Sequence, residues 1–122
     1  MFGLLLCLNA DMIPIITSSS DEKLMAIQRL ENDGQKIHTI NYKTTPNWEE
    51  EAKRLTNGKG VDIVFENAGV TTISKSLASL SRRGQISLIG FLGGFEAAEF
   101  PDTILPLLMK SATMRYAHSD LF

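Results

Sequence analysis

The sequence contains few of the residues on which disulfide, metal and nucleic-acid chemistry depend. Its 122 residues include one cysteine, Cys7, and two histidines, His38 and His118, which are far apart in the sequence. A lone cysteine excludes an internal disulfide and a multi-cysteine zinc site, and it fits a reducing, cytoplasmic setting. The net charge of −2 argues against nucleic acid or an anionic membrane as a partner. We therefore predict no metal in this segment, no nucleic acid and no membrane.

Long apolar runs are also missing. Residues 1–10 (MFGLLLCLNA) are apolar and end in a small residue, as a signal h-region does, but they have no basic n-region. They are also too short for a bilayer span of about 20 residues, so a buried helix over Phe2–Leu8 is the better interpretation. An apolar content of 43% and a charged content of 21% are ordinary for a soluble globular chain, and residues 1–122 are taken as one domain.

The clearest strand comprises Val61 and the apolar run Ile63–Phe65. A run that does not alternate is typical of a strand buried on both faces of a parallel sheet. It ends in Glu66–Gly69, a polar, small-residue stretch at the carboxyl end of the strand, where ligands bind in open α/β sheets. Gly69 can adopt a positive φ at little cost.

Other strands and helices alternate along the chain. Strands are predicted at Ile15–Ile16, Ile37–Ile40, Gln85–Ile89 and Thr113–Tyr116. Helices between them are expected to begin at Ser19 or Ser20, at Thr45, and at Thr71 or Thr72, and to end at Gly34, at Asn57–Gly60 and at Gly84, with Arg82 and Arg83 in a last turn. The pattern of Met12–Ile16 as a whole is that of a strand, but Pro14 favours a strand that begins only at Ile15 or that is locally distorted. The alternation predicts an α/β fold with a doubly wound parallel sheet.

Several segments, in order and nearly in spacing, carry a resemblance to a known family: Ile15–Leu24, Ile40–Tyr42, Trp48–Glu50, Leu55–Asp62 and Gly84–Gly90. Together they resemble the cofactor domain of the medium-chain dehydrogenase/reductase superfamily, in its quinone-oxidoreductase-like and zinc-type alcohol dehydrogenase branches. The resemblance implies a Rossmann-like domain that binds a nicotinamide dinucleotide.

The resemblance places the adenosine ribose at the end of the strand after Pro14. An acid there would select NAD, but Thr17, Ser18 and Ser19 stand in its place. Lys23 and Tyr42 match the family's lysine and tyrosine of the 2′-phosphate pocket. Hydroxyls and a cation suit a phosphate, so NADP(H) is favoured over NAD(H). The alternatives are helix capping for the serines, a solvated helix residue for Lys23 and a core-edge ring for Tyr42.

Two further loops match cofactor-binding positions of the family. The residues near the adenine or nicotinamide ribose are Asn67, Ala68 and Gly69, and those approaching the nicotinamide are Gly90, Phe91 and Leu92. The family's first strand, its Gly-rich phosphate turn and its catalytic domain would precede residue 1. The resemblance therefore implies an incomplete Rossmann-like sheet, lacking the first strand and the Gly-rich turn.

The expected function follows from that resemblance. It is a fragment of an NADP-dependent oxidoreductase that passes hydride between NADPH and a carbonyl, alcohol, quinone or enone, with little turnover alone and no assignable catalytic residue. The alternative is a non-catalytic domain that binds nucleotide weakly or associates with protein, and a homodimer through Thr113–Tyr116 is open. A short-chain reductase would need a lysine four residues after Tyr116, where Asp120 stands.

Overall fold

The computed structural model describes residues 2–31, 34–89 and 101–116. These residues form an α/β fold in which helices and strands alternate as predicted, and every strand pair among them is parallel. The elements are α1 Phe2–Asn9, β1 Ile15–Ser18, α2 Asp21–Gln28, β2 His38–Asn41, α3 Trp48–Leu55, β3 Val61–Glu66, α4 Ile73–Ser79, β4 Leu80–Leu88, α5 Ile104–Lys110 and β5 Thr113–Tyr116. Two compact units divide the chain, one ending at Glu51 and one beginning at Ala52.

The first unit is built on the parallel pair of β1 and β2. Its register runs from Ile15 opposite His38 to Ser18 opposite Asn41. Pro14 precedes the first pair, and its carbonyl accepts from the amide of His38 at 3.0 Å. Because proline has no N–H to donate, the strand begins at Ile15, as predicted. The buried apolar side chains of this unit include those of Leu4, Leu24, Ile37 and Ile40.

The helices α2 and α3 differ from expectation at their ends. Gly34 was expected to cap α2, but the helix ends at Gln28 with Arg29 as its C-cap. The Gln28 side chain donates to the carbonyl of Ile37 at 2.7 Å, so a contact with the next strand holds the helix end in place of a glycine. The start of α3 was expected at Thr45, yet the helix begins at Trp48, and the carbonyl of Asn47 accepts from the amides of Glu50 and Glu51.

The second unit contains a three-stranded parallel sheet in the order β3-β4-β5. Its buried core is Ile73, Leu77, Leu80 and Ile86, against which half-buried apolar residues pack: Val61, Val64, Leu107, Ala112 and Met114. Ile73 and Leu77 lie four residues apart on α4 and so share one helix face, whereas Leu80 already belongs to β4. Helices α4 and α5 thereby cover the same face of the sheet.

The stretch from Leu80 to Gly84 was predicted wrongly. Arg82 and Arg83 were expected in the last turn of a helix that Gly84 closes, but α4 ends at Ser79 and β4 begins at Leu80. Leu80 pairs with Val61, whereas the next recorded pair is Ile63 with Gln85, so the intervening residues bulge. Arg83 has a φ of 62° within this bulge. Burial of Leu80 in the core therefore decides where the helix stops.

Lys110 ties α5 to the end of α4. Its Nζ donates to the carbonyls of Leu77 at 2.7 Å, Ala78 at 3.1 Å and Leu80 at 2.7 Å. The carbonyls of Leu77 and Ala78 lie in the last turn of α4 and that of Leu80 follows it, and the three bonds use all three N–H groups of the ammonium. Burial and the neighbouring Lys53 charge nevertheless lower the pKa of Lys110.

Candidate functional site

The turns after β1 and β2 lie side by side in the first unit. The amide of Tyr42 donates to the carbonyl of Ser18 at 3.1 Å, which joins the two strand ends. The Ser18 hydroxyl accepts from the amide of Ser20 at 3.2 Å, and the Ser20 hydroxyl accepts from the amide of Lys23 at 3.3 Å. The first turn of α2 is therefore held against the end of β1, and the bond from Tyr42 to Ser18 places the residue after β2 beside the same strand end.

This arrangement leaves several of the predicted cofactor residues open to solvent. Thr17, Ser19 and Lys23 are exposed, and Tyr42 is 44% exposed. Helix capping, the alternative explanation for the serines, belongs to Ser20, because its side chain makes the capping bond of α2. The structure thus places Thr17, Ser18, Ser19, Lys23 and Tyr42 at one end of one parallel pair, where a ligand can approach.

Asp21 and Asn41 belong to the same cluster and were not among the predicted site residues. The Asn41 side-chain amide donates to the Asp21 carboxylate at 2.8 Å, and its oxygen accepts from the amide of Lys43 at 2.9 Å. Asp21, Leu24, Met25, Gln28, Thr39 and Asn41 line an open groove of about 370 Å³. Asn41 lies within a segment that carries the family resemblance, but only the fold shows that it holds a carboxylate beside the cluster.

The turn Asn67–Gly69 follows β3 in the second unit. Asn67 is exposed, and Gly69 is buried with a φ of 86°, the conformation that glycine adopts most readily. Glu66 was grouped with these ligand-facing residues, but its side chain is only 4% exposed. Its Oε1 accepts from the amides of Ala68 at 3.0 Å and Gly69 at 3.1 Å. The carboxylate therefore points into the protein and away from a ligand.

The third group of predicted cofactor residues, Gly90, Phe91 and Leu92, lies outside the described residues. Ile89, the residue before them, donates its amide to the carbonyl of Glu66 at 2.8 Å. The carboxyl ends of β3 and β4 are therefore level in the second unit. Parallel strands that end together define one edge of a sheet, which is the edge where ligands of open α/β folds bind.

Other kinds of site gain no support from the described ranges. Within residues 2–31, 34–89 and 101–116, no group of three or more His, Cys, Asp or Glu side chains is placed to hold a metal ion. Burial raises the pKa of the Cys7 thiol, which makes it a poor nucleophile. Among the helices of this part of the chain, none has the length and apolar character needed to cross a bilayer.

Known proteins are similar to this chain in both sequence and fold. The sequence profile of the zinc-binding dehydrogenase family matches residues 2–119. A zinc-type alcohol dehydrogenase-like protein of Schizosaccharomyces pombe is 44% identical over 91 residues, which are 75% of this chain and 25% of that protein. A crystal structure described as an alcohol dehydrogenase from Sinorhizobium meliloti superposes with a TM-score of 0.78 at 35% identity, over 95% of this chain and 32% of the other.

The crystal structure of Escherichia coli quinone oxidoreductase complexed with NADPH superposes with a TM-score of 0.68 at 25% identity, over 85% of this chain and 30% of that one. This chain thus spans about a quarter to a third of the length of these relatives. The family profile covers nearly all of it, and parallel α/β architecture agrees between the structures. The chain therefore belongs to the zinc-binding dehydrogenase family.

Proposed function

We propose that this chain binds NADP(H) as part of the dinucleotide-binding domain of an oxidoreductase. The parent reaction passes hydride between NADPH and a carbonyl, alcohol, quinone or enone. The observation that carries the proposal is the cluster at the ends of β1 and β2. There Tyr42 donates its amide to Ser18, Lys23 lies in the first turn of α2, and the last residue of β1 is a serine rather than an acid. The structure of one relative, quinone oxidoreductase of Escherichia coli, was determined in complex with NADPH, and this supports the proposal.

Each group in the cluster has a physical role in this proposal. The hydroxyls of Thr17, Ser18 and Ser19 donate to phosphate oxygens at the ribose 2′ position, and the Lys23 ammonium supplies the opposite charge. The half-open ring of Tyr42 packs against the adenine. A free ribose hydroxyl offers no such charge, so NADPH is held more tightly than NADH.

The second unit offers a further candidate for dinucleotide binding in this proposal, the Asn67–Gly69 turn after β3. The resemblance assigns this turn to a cofactor ribose, and it assigns Gly90–Leu92, which lie outside the described residues, to the nicotinamide. The cofactor supplies the hydride, and the residues of this chain bind and orient it. Because no described residue is assigned to substrate binding or to proton transfer, we expect the chain to bind cofactor without turning over a substrate.

The test is a titration of the purified chain with NADPH and, in parallel, NADH, followed by the melting temperature and by cofactor fluorescence. Cofactor that binds only the folded state raises the melting temperature. Lys23→Ala should weaken NADPH binding about tenfold, the scale of one charge-assisted hydrogen bond, and leave NADH unchanged. Lys36→Ala is the matched control, because Lys36 is an exposed lysine of the same unit. Equal affinities of the wild-type chain for the two cofactors, or no affinity for either, would contradict the proposal.

A second candidate function is association with another copy of the chain through β5. Among the described residues β5 pairs only with β4, which leaves its outer edge open, and an open edge is a template for strand pairing. The preceding helix α5 exposes large apolar side chains, among them Ile104 at 78%, Leu108 at 72% and Met109 at 68%. Light scattering after size-exclusion chromatography tests the idea, and a monomer at the highest attainable concentration would exclude it.

A further inference from the structure

Glu66 is a buried acid at the point where β3 becomes the Asn67–Gly69 turn. Only 4% of its surface is exposed, although an ionisable carboxyl group is normally solvated. Removal of a carboxylate from water is unfavourable unless hydrogen bonds replace its hydration. The Glu66 carboxylate therefore needs hydrogen-bond donors from the surrounding chain.

The donors to Glu66 come from two different parts of the second unit. Oε1 accepts from the backbone amides of Ala68 at 3.0 Å and Gly69 at 3.1 Å, and from the hydroxyl of Thr72 at 2.6 Å. Oε2 accepts from the hydroxyl of Ser76, which lies on α4. One carboxylate thus joins the turn to the helix that follows it. Thr72, the N-cap residue of α4, uses its hydroxyl here and makes no side-chain capping bond.

The direction of the two amides limits what the turn can offer to a ligand. Successive backbone amides that converge on one point form a concave anion site, and a phosphate occupies such a site in many nucleotide-binding proteins. Here the chain's own carboxylate occupies it. The N–H groups of Ala68 and Gly69 are therefore not available to the cofactor, and the exposed residue of the turn is Asn67.

We propose that Glu66 is a positioning residue, which holds the Asn67–Gly69 turn in its ligand-accepting conformation before cofactor arrives. The consequence for binding rests on the proposed function, whereas the consequence for the turn does not. A turn that is ordered in advance loses less conformational freedom on binding, so affinity rises. Contact with the ribose then comes from Asn67 and from backbone carbonyls of the turn.

The experiment compares Glu66→Gln with Ser76→Ala in the full chain. Glutamine has nearly the same shape but carries no charge, so it weakens the hold on both turn amides. Ser76→Ala removes a donor on the helix side and leaves the bonds to Ala68 and Gly69 in place, which makes it the matched control. Amide hydrogen exchange of Ala68 and Gly69 is followed by NMR, and the dissociation constant for NADPH by fluorescence, alongside the melting temperature of each variant.

We expect Glu66→Gln to accelerate exchange at Ala68 and Gly69 and to weaken NADPH binding about tenfold, the scale of ordering one or two groups on binding. Ser76→Ala should change neither the exchange rates of these amides nor the affinity for NADPH, even if it lowers the melting temperature as much as Glu66→Gln does. If both variants lose affinity in proportion to the fall in their melting temperatures, Glu66 acts only on stability, and the proposal is overturned.

Amide exchange and NADPH affinity together distinguish a failure of this inference from a failure of the proposed function. A wild-type chain that binds no NADPH overturns the proposed function, and amide exchange then decides the role of Glu66. Slow exchange in the wild type and fast exchange in Glu66→Gln support it, whereas equal rates overturn it. If the glutamine variant does not fold, Glu66→Asp keeps the charge on a side chain one methylene shorter. Its turn amides should stay protected while the Ser76 bond is lost, and unprotected amides there would contradict the proposal.

Discussion

Gly60 offers the sharpest test of the packing that sets the start of β3. It is buried with a φ of 93°, and a Cβ added there would lie 2.8 Å from each of three backbone atoms: Leu80 C, Ser79 O and Ser81 N. Real Cβ atoms essentially never approach backbone so closely, and no flexible side chain is present to yield. Gly60→Ala must therefore displace the main chain where α4 passes into β4.

Gly58 provides the matched control for this substitution. Its φ is 85°, but a Cβ added there would meet nothing within 4 Å. Gly58→Ala should thus cost only the left-handed backbone penalty, about 1–2 kcal/mol. Gly60→Ala carries the same penalty and in addition a displacement of packed structure, which typically costs about 1–3 kcal/mol. Any stabilisation from the stiffer unfolded chain is similar in the two variants and cancels in the comparison.

The expected free energy of unfolding is therefore lower for Gly60→Ala than for Gly58→Ala by about 1–3 kcal/mol. Urea denaturation of both variants, followed by circular dichroism, measures that difference. It is a large fraction of a typical domain stability of about 5–15 kcal/mol, so Gly60→Ala is expected to melt early. Equal unfolding midpoints would refute the reasoning, because they would mean that the backbone of Ser79–Ser81 can yield at no cost.

Three further predictions concern the core of the second unit, the bonds from Lys110 on α5 to the end of α4, and the side chains at the ends of β1 and β2. Leu77→Ala, at a side chain 1% exposed in the core, should destabilise the chain by about 2–5 kcal/mol, whereas Leu105→Ala, at a side chain 56% exposed, should be nearly neutral; similar losses in urea denaturation would contradict this core. Burial and the Lys53 charge lower the pKa of Lys110, so the folded state binds fewer protons than the unfolded state between that lowered pKa and the ordinary lysine value of about 10.4. Stability relative to Lys110→Met should consequently increase as pH rises through that window, and a decrease would mean that the three carbonyl oxygens favour the ammonium more than burial disfavours it. Asp21→Asn removes a carboxylate from the α2 turn and should raise the ratio of NADPH to NADH affinity, as measured by titration with both cofactors; an unchanged ratio would show that this carboxylate is too far from the 2′ position to matter.

Local pattern was sufficient for the order of the elements but not for every face that they bury. The strand β3 was expected to be buried on both faces, yet Ile63 and Phe65 are each 40% exposed. The spacing of Ile73 and Leu77 depends only on the geometry of a helix, which puts both side chains on the face of α4 that is buried, whereas Leu80 reaches the same core from β4. Pro14 likewise marked the start of β1, because the missing N–H is a property of the residue itself. Gly69 was expected to allow a positive φ for the same kind of reason, and it has one.

Contacts between residues distant in sequence explain what local pattern missed. Glu66 was placed beside a cofactor by its position at a strand end, but it turns inward because Thr72 at the N-cap of α4 and Ser76 within α4 supply donors. Gly84 resembles a helix stop, yet α4 has already ended because Leu80 pairs with β3 and fills the core. Helix and strand periodicity record which faces of each element are apolar. Which polar side chain meets which partner is decided when those faces pack, since the free energy of a buried polar group depends on donors that only the packed fold brings together.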